Sequence, residues 1–504
     1  MSRNRILCLV LVAIFVAMGA FATGAKEGGK PVTLVVVQPS EKTAIFDNVL
    51  PVIEKNLAAD GVNVKLDVIM VPWSDLSTKT QVMLAGQDNI DLIFDAPWLH
   101  MNQMIAQGYY EELSGLLKSY GPNILRTRPQ EMWDANKFDG KIMGIPLGLF
   151  FQQPHGWAIR ADLREKLGFA PLKTYDDIVK YAYAVKKDNP KMFPLSFDGN
   201  YSNIQYGFVN WKMLDDSDTN IRFTQAFGAS LMLYYKNNDG KVYNMFEDLD
   251  PKLATALKEA RQFYLDGLIN PDVLSIKQIQ DDFYNTGKAA VLPIRLFSNN
   301  RSTDKLNNIK ALGGSSEPVV LATKTPGKVI ANFVMDNFIC VTKISKNKEL
   351  AIRFLDWVNK NTDNYNLVEH GVKGKDWEPV GTDKWRNITG AEFGWQAYAL
   401  SWNPLYNLLP EADDANAIVM QRLIAKSSYF VKDVTAGFSF NAEPVKNEIA
   451  QYQGIEGKYY PALMNGVLDP TDTLAKFKAE AGPTLKKIQD ELQKQVNDFL
   501  KTKK

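Results

Sequence analysis

The sequence predicts an α/β protein built around a mostly parallel sheet, and three observations carry that expectation. First, just past residue 30 the chain runs Val32-Thr33-Leu34-Val35-Val36-Val37, the composition of a strand buried on both faces. Second, strand-like and helix-like patterns alternate from there to Phe94, the signature of strands joined by crossover helices. Third, the alternation restarts near Ala158, after a turn marked by Gly140, Gly144 and Pro146, so the first layer is not the whole molecule. At roughly 150 residues per domain, 504 residues allow about two to three domains.

Taken in order, Ile45, Phe46, Val49, Leu50, Ile53 and Leu57 fall on one helical face. Pro51 interrupts that face, which predicts a helix kinked or begun there. Val64 to Val71 reads as a second strand, Ser74 to Ala85 as a helix and Ile90 to Phe94 as a third strand. Phe138 to Pro146 is a turn followed by a short strand. Ala158 to Arg160 reads as a strand, and Asp162 to Gly168 as a short helix stopped by glycine. Thr174-Tyr175-Asp176-Asp177 has the form of a capping box, opening a helix to about Lys187. A turn before Ala289 feeds another strand, and Phe333 to Thr342 is again strand-like. Leu350, Phe354, Leu355 and Val358 form a helical stripe opened by Ser345 or Asn347. The final helix carries Leu485, Ile488, Leu492, Val496 and Phe499 on its apolar face. No internal repeat or low-complexity linker separates these regions.

The first segment reads as an export signal. Arg3 and Arg5 precede an apolar run from Ile6 to Ala22, and Ala20-Phe21-Ala22 offers small residues for cleavage after Ala22, with Ala25 as an alternative. The competing reading is a membrane anchor; the run is near the lower length limit for one, and the small residues at its end favour a signal over 1–22. Cys8 lies in that segment and Cys340 is alone beyond it, so no intramolecular disulfide can form. Cys340 sits in an apolar run and reads as a buried, inert thiol. With no cysteine at the end of the signal for lipid attachment and no further apolar run of about 20 residues, the expectation is a soluble periplasmic monomer. Net charge is +1, which leaves no electrostatic footprint for nucleic acid.

Four segments together resemble a known family. They are Thr80 to Phe94 (TQVMLAGQDNIDLIF), Phe138 to Pro146 (FDGKIMGIP), Asn285 to Pro293 (NTGKAAVLP) and, more specific than the rest, Phe438 to Leu474. In this order they resemble the extracellular solute-binding proteins of ABC importers, and within them the LplA-like oligosaccharide-binding group. The resemblance covers essentially the whole chain past the signal. It implies the two-lobe periplasmic-binding-protein fold (type 2), with discontinuous lobes joined by a hinge and the ligand in the cleft between them. It implies a first lobe over 31–148 and 328–400, and a second over 149–327 and 401–504. It further implies an oligosaccharide as ligand and ABC-transporter membrane subunits as partners, with a peptide or another solute as the alternative cargo. Some relatives carry a calcium loop in the second lobe. Lys186 to Pro194 lacks its ligand series. Asp216, Asp218 and Asn220 alternate like one, but Ile221 and Phe227 stand where Gly and Glu are wanted, so no metal and no cofactor are expected.

A sugar presents apolar C–H faces and a rim of hydroxyls, so its site pairs flat aromatics with planar hydrogen-bonding groups. Ligands of parallel sheets bind outside the carboxyl ends of the strands, where the sequence places Pro72-Trp73-Ser74-Asp75 and Asp95-Ala96-Pro97-Trp98. Trp73, Asp95 and Trp98 are therefore candidate contacts, or else loop groups packed on the surface. Gln153 and Trp157 follow the first crossover; Trp157 fits a cleft wall or a core equally. Arg295 directly follows an apolar strand and is costly to bury unpaired, so it faces the cleft or an acid. Asp336 and Asn337 interrupt an apolar run, as hinge or ligand contacts. Trp402 and Asn403 are stacking and hydrogen-bonding candidates near a third crossing. Phe438 and Phe440 alternate about Ser439, with one face in the core and Phe440 the ligand candidate. Asn200, Tyr201 and Trp211 are weaker candidates, and Trp357 belongs to a packing stripe.

Catalysis is poorly provided for. His100, His155 and His370 are the three histidines and show no metal-ligand spacing. No G-x-S-x-G elbow, P-loop or dinucleotide fingerprint is present. A secreted glycoside hydrolase working through paired carboxylates is the enzyme-class alternative.

Overall fold

The computed structural model describes residues 30–503 apart from 40–41, 74, 149–154, 198–207, 210–211, 213–220, 225–231, 276–279, 296–308, 320–328, 332, 391–398, 412–427, 429 and 439. The export segment, Gln153, the acidic run at 216–220, Asn200, Tyr201 and Trp211 lie outside the described residues.

The molecule is a two-lobe α/β protein. The first layer begins with β1 (Val32–Pro39), α1 (Phe46–Ala59), β2 (Val64–Val71), α2 (Leu76–Ala85) and β3 (Leu92–Asp95). Helix α1 buries the predicted face of Phe46, Val49, Ile53 and Leu57, and it runs through Pro51 instead of starting there. Pro51 falls early in the helix, so its missing N–H leaves only a first-turn carbonyl without a partner. β1 pairs in parallel with β2 from Val32 opposite Val64 to Pro39 opposite Val71, and on its other side with β3, Val36 opposite Leu92. Strand β3 starts two residues later than the pattern predicts. Asp91 turns its carboxylate onto the strand instead, accepting from Val35 N–H (2.9 Å).

The sheet is completed by β4 (Ile145–Leu147) and by a strand from far along the chain, Asn337–Val341. That late strand lies between β3 and β4, antiparallel to both: Phe338 opposes Asp95, and Asn337 opposes Leu147. Asp91 ties it in, since its other oxygen accepts from Ser345 Oγ (2.5 Å) and Asn347 Nδ2 (3.3 Å). Both residues suspected of opening the next helix (Lys348–Val358) act there. Asn347 is the cap position, and its own N–H donates to Ser345 Oγ. Cys340 is buried in the late strand, and burial pushes its thiol well above the ordinary range.

The sheet of the second region is antiparallel. β5 (His155–Arg160) lies between β6 (Val291–Arg295) and β7 (Ser316–Val319) and opposes both. Beyond β5 come α3 (Ala161–Lys166) and α4 (Tyr175–Asp188). The capping box is realised at α4: Asp177 N–H donates to Thr174 Oγ1 (3.1 Å), and Thr174 N–H to Asp177 Oδ2 (3.0 Å). The chain closes with a helical hairpin, Lys446–Met464 and Pro470–Thr502. Leu485, Ile488, Leu492 and Val496 are fully buried, and Phe499 packs half-buried against Phe438.

Apolar side chains gather into two large clusters. One joins residues between Leu34 and Leu147 to residues between Ala331 and Leu409. The other joins Trp157 through Val319 to Val445 through Val496. Trp402 and Leu409 belong to the first cluster, so the stretch just past residue 401 packs on the first core before the chain reaches the second.

Two predictions follow from this packing. Gly466, in the hairpin turn, has φ +72°, and a Cβ there would overlap the Ala260 carbonyl. Gly108 has φ +78° but open space around it. Gly466→Ala is expected to destabilise by at least ~2 kcal/mol, and Gly108→Ala by about 1 kcal/mol, read from denaturant midpoints. His370 is buried, stacked on Trp385 with ring centroids 4.1 Å apart, and burial holds its imidazole down at about 3. Between that value and the unfolded value near 6.5 the unfolded chain binds the extra proton, so stability falls as pH falls through this window, by up to ~1.4 kcal/mol per pH unit for this group. His370→Phe should make the loss of stability between pH 7 and 4 shallower than in the wild type.

Candidate functional site

The pairing of the first sheet decides what stands on one of its edges. The carboxyl ends of β1, β2, β3 and β4 and the amino end of the late strand at Asn337 all lie on the same side. Trp73 follows β2, Trp98 follows β3, Asp336 precedes the late strand and Gly148 follows β4. Four sequence candidates, Trp73, Trp98, Asp336 and Trp402, are brought to this edge.

Trp73 and Trp98 form its most distinctive feature. They are 41% and 55% exposed, their ring centroids lie 6.3 Å apart, and the planes tilt by 30°. Beneath them Phe94, fully buried, meets Trp73 edge-on at 5.9 Å. Trp98 is further held by Nε1, which donates to Asn337 Oδ1 (3.1 Å). Two indoles side by side in water are an apolar surface in search of a partner, and their faces suit flat C–H surfaces. Asp336, next to Asn337, is exposed beside them.

Asp95 is a correction. It is buried, not at the surface, and its carboxylate is committed. Oδ1 accepts from Ala96 N–H (2.7 Å), while Oδ2 accepts from the Tyr110 hydroxyl and pairs with His100 Nδ1 (2.9 Å). His100 Nε2 in turn meets Thr80 Oγ1 (2.7 Å), whose hydroxyl also donates to Leu76 O on α2. Trp98 lies between Asp95 and His100, and Trp73 lies just before α2. The network therefore fixes the two aromatic loops relative to each other.

Beyond the indoles the edge dips into a pocket of about 240 Å³, walled by 126–129 and Met132 on one side and by 402–405 on the other, with Gly148 between. Gly148 has φ +104°, and a Cβ there would lie 2.8 Å from the Trp402 ring, so only glycine lets the chain turn this close to the indole. Trp402 is mostly buried but contributes to the pocket wall. Asn403 is a second correction: it is buried, with Nδ2 donating to Asn359 Oδ1 (3.2 Å) and Oδ1 accepting from Leu405 N–H (3.1 Å). It holds the loop that carries Trp402.

The remaining candidates stand elsewhere. Trp157 is buried in the second core against Tyr175 and Phe197, so of the two readings it is core. Phe440, like Phe438, is half-buried and packs on the second core. Arg295 is the last residue of β6, in register with His155. Trp357 is packing, as read, with Nε1 donating to Asp60.

Two residues of the edge escaped sequence reasoning. Gln38, near the end of β1, is buried, and among the described residues neither amide atom has a hydrogen-bond partner. Arg128 is buried at the pocket wall. The signal for Gln38 was present, a lone amide closing an otherwise apolar strand at its carboxyl end. Arg128 sits in no recognisable pattern. Among the described residues, no group of three His, Cys, Asp or Glu side chains is arranged to hold a metal.

Residues 48–365 match the family described as bacterial extracellular solute-binding protein, and residues 434–501 match a domain of unknown function (DUF3502). A relative from Streptococcus pneumoniae serotype 4 (strain ATCC BAA-334 / TIGR4), named carbohydrate ABC transporter substrate-binding protein, is 25% identical over 95% of this chain and 93% of its own length. Among solved structures, the N-glycan transport solute-binding protein NgtS from Streptococcus pneumoniae superposes with a TM-score of 0.72 at 20% identity, covering 94% of this chain and 100% of that one. The S. pneumoniae ABC-transporter substrate-binding protein FusA, in complex with kestose, superposes with a TM-score of 0.57 at 19% identity, over 94% and 100%.

Removing the carboxylate that orders the edge tests its role. Asp95→Ala leaves the buried His100 and Tyr110 groups without their acceptor, at about 1–3 kcal/mol for each stranded group. The expected outcome is a denaturation midpoint lowered by at least ~2 kcal/mol of stability, with increased tryptophan quenching by iodide as the loops loosen.

Proposed function

The chain belongs to the bacterial extracellular solute-binding proteins, and on that premise we propose that it is the substrate-binding subunit of an ABC importer that captures an oligosaccharide. The observation that carries this reading is the pair of exposed indoles held side by side at the carboxyl edge of the first sheet. A pyranose laid on that platform covers the apolar indole faces, and the exposed Asp336 nearby is of the kind that binds hydroxyls. The names of the similar proteins, which point to carbohydrate and N-glycan transport, support the same cargo.

In this reading the lobes are 31–148 with 328–400, and 149–327 with 401–504, the stretch through Leu409 lying against the first core. The protein is exported by the segment at 1–22, works as a periplasmic monomer and binds its cargo without turning it over. The open form receives the glycan on the first lobe, and closure brings the second lobe over it. A ligand touching both lobes stabilises the closed form only by its differential affinity for that form. The membrane subunits then receive the closed complex.

A thermal-shift screen against a glycan panel, followed by titration of the best ligand, tests the reading. A bound glycan raises the melting temperature by mass action and is recovered intact. Because Trp98 is largely exposed, Trp98→Ala should leave the ligand-free melting temperature within about 2 °C while weakening binding at least ~10-fold, or ~1.4 kcal/mol. An unshifted panel, or unchanged affinity in Trp98→Ala, rules the platform out; shortened glycans would identify a hydrolase.

A further inference from the structure

We infer that the pocket between Arg128 and Trp402 is an anion subsite, receiving a carboxylate or sulfate group carried by the glycan. The guanidinium of Arg128 is buried, and three of its contacts are neutral acceptors: Nε donates to Pro146 O (2.8 Å), and Nη1 to Thr127 Oγ1 (3.2 Å) and Asn359 Oδ1 (3.3 Å). Among the described residues Nη2 is buried without a hydrogen-bond partner, and the residue forms part of the pocket wall; the cation thus stands behind the wall and acts on the pocket through its charge. Among the described residues no carboxylate lies against it.

That is an unusual condition for a charge. Burial lowers the Arg128 pKa only to about 10, so the group stays cationic at neutral pH. A buried charge with no counter-charge is strongly unfavourable, and neutral acceptors such as carbonyls and amides only partly offset the loss of water. A carboxylate or sulfate seated in the pocket supplies the counter-charge that the wall lacks. A second cation, Arg126, stands exposed at the rim, held by Asn123, Lys360 O and Tyr406. The 240 Å³ volume lies below the roughly 300–1,000 Å³ of pockets that swallow a drug-sized molecule, so it admits one ring or its charged substituent. Its position connects it to the platform. Gly148 at the pocket follows Leu147, which pairs with Asn337, to which Trp98 donates. Two strand spacings, roughly 10 Å, separate the end of β3 from the end of β4, within the reach of one chain of linked sugars.

The identity of the carrier rests on the reading of the edge as a glycan site; the anion subsite itself does not. The test uses the full exported chain and calorimetric titration with three probes: a neutral oligosaccharide from the panel, the same oligosaccharide bearing a terminal uronate, and sodium sulfate. The expected result is at least tenfold tighter binding of the uronate form, an advantage that shrinks at high salt and vanishes in Arg128→Met. Arg128→Lys, which keeps the charge, should retain part of it. Equal affinity of neutral and acidic glycans in the wild type overturns the subsite while leaving the glycan reading intact, and it requires no variant to fold. Sulfate binding that Arg128→Met abolishes, with no glycan binding of either kind, instead defeats the glycan reading and with it the proposed carrier, while the anion pocket stands.

Discussion

A single buried carboxylate organises the carboxyl edge of the first sheet. Asp95 closes β3, accepts from its own following N–H, and engages His100 and Tyr110. Through His100 it reaches Thr80 on α2. Every member of this chain is buried and hydrogen-bonded, which is the condition under which a polar network rigidifies a fold instead of weakening it. The loops carrying Trp73 and Trp98 enter or leave elements tied by that network. Their indoles can stay exposed without drifting, because the backbone beneath them has little freedom left. The Trp98–Asn337 bond extends the same order to the late strand, which arrives from more than two hundred residues away in sequence.

Seen from the ligand's side, the edge leaves several requirements open. The indole faces of Trp73 and Trp98 are exposed, and among the described residues the buried Gln38 amide and the Arg128 Nη2 have no hydrogen-bond partner. Exposed apolar faces and unpartnered buried polar atoms are both unfavourable. Groups left short in the free form favour a ligand that supplies what they lack over one that does not.

The sequence made the layer legible where hydrophobic pattern alone decides it. The β-branched run at Val32–Val37, the face of Phe46, Val49, Ile53 and Leu57, the Thr174 capping box and the last helix all follow from local period and cap chemistry. The strand-end rule likewise brought Trp73 and Trp98 into view. What stayed hidden depends on partners distant in the chain. Nothing local distinguishes an Asp95 that faces solvent from one that clamps His100 and Tyr110, and nothing around Trp157 reveals that Tyr175 and Phe197 enclose it. The antiparallel setting of β5 depends on β6 and β7, more than a hundred residues further on. Arg128 was unreadable for the same reason: its burial against Pro146 and Asn359 is set by partners distant in the chain.

The closeness of the two indoles has an optical consequence. Chromophores 6.3 Å apart and tilted by 30° share their excited states, so the pair contributes a split signal to far-ultraviolet circular dichroism that no backbone element produces. The sign and size of that couplet depend on the mutual orientation of the rings. The protein thus carries an intrinsic gauge of the geometry of its own edge, legible in solution without any label.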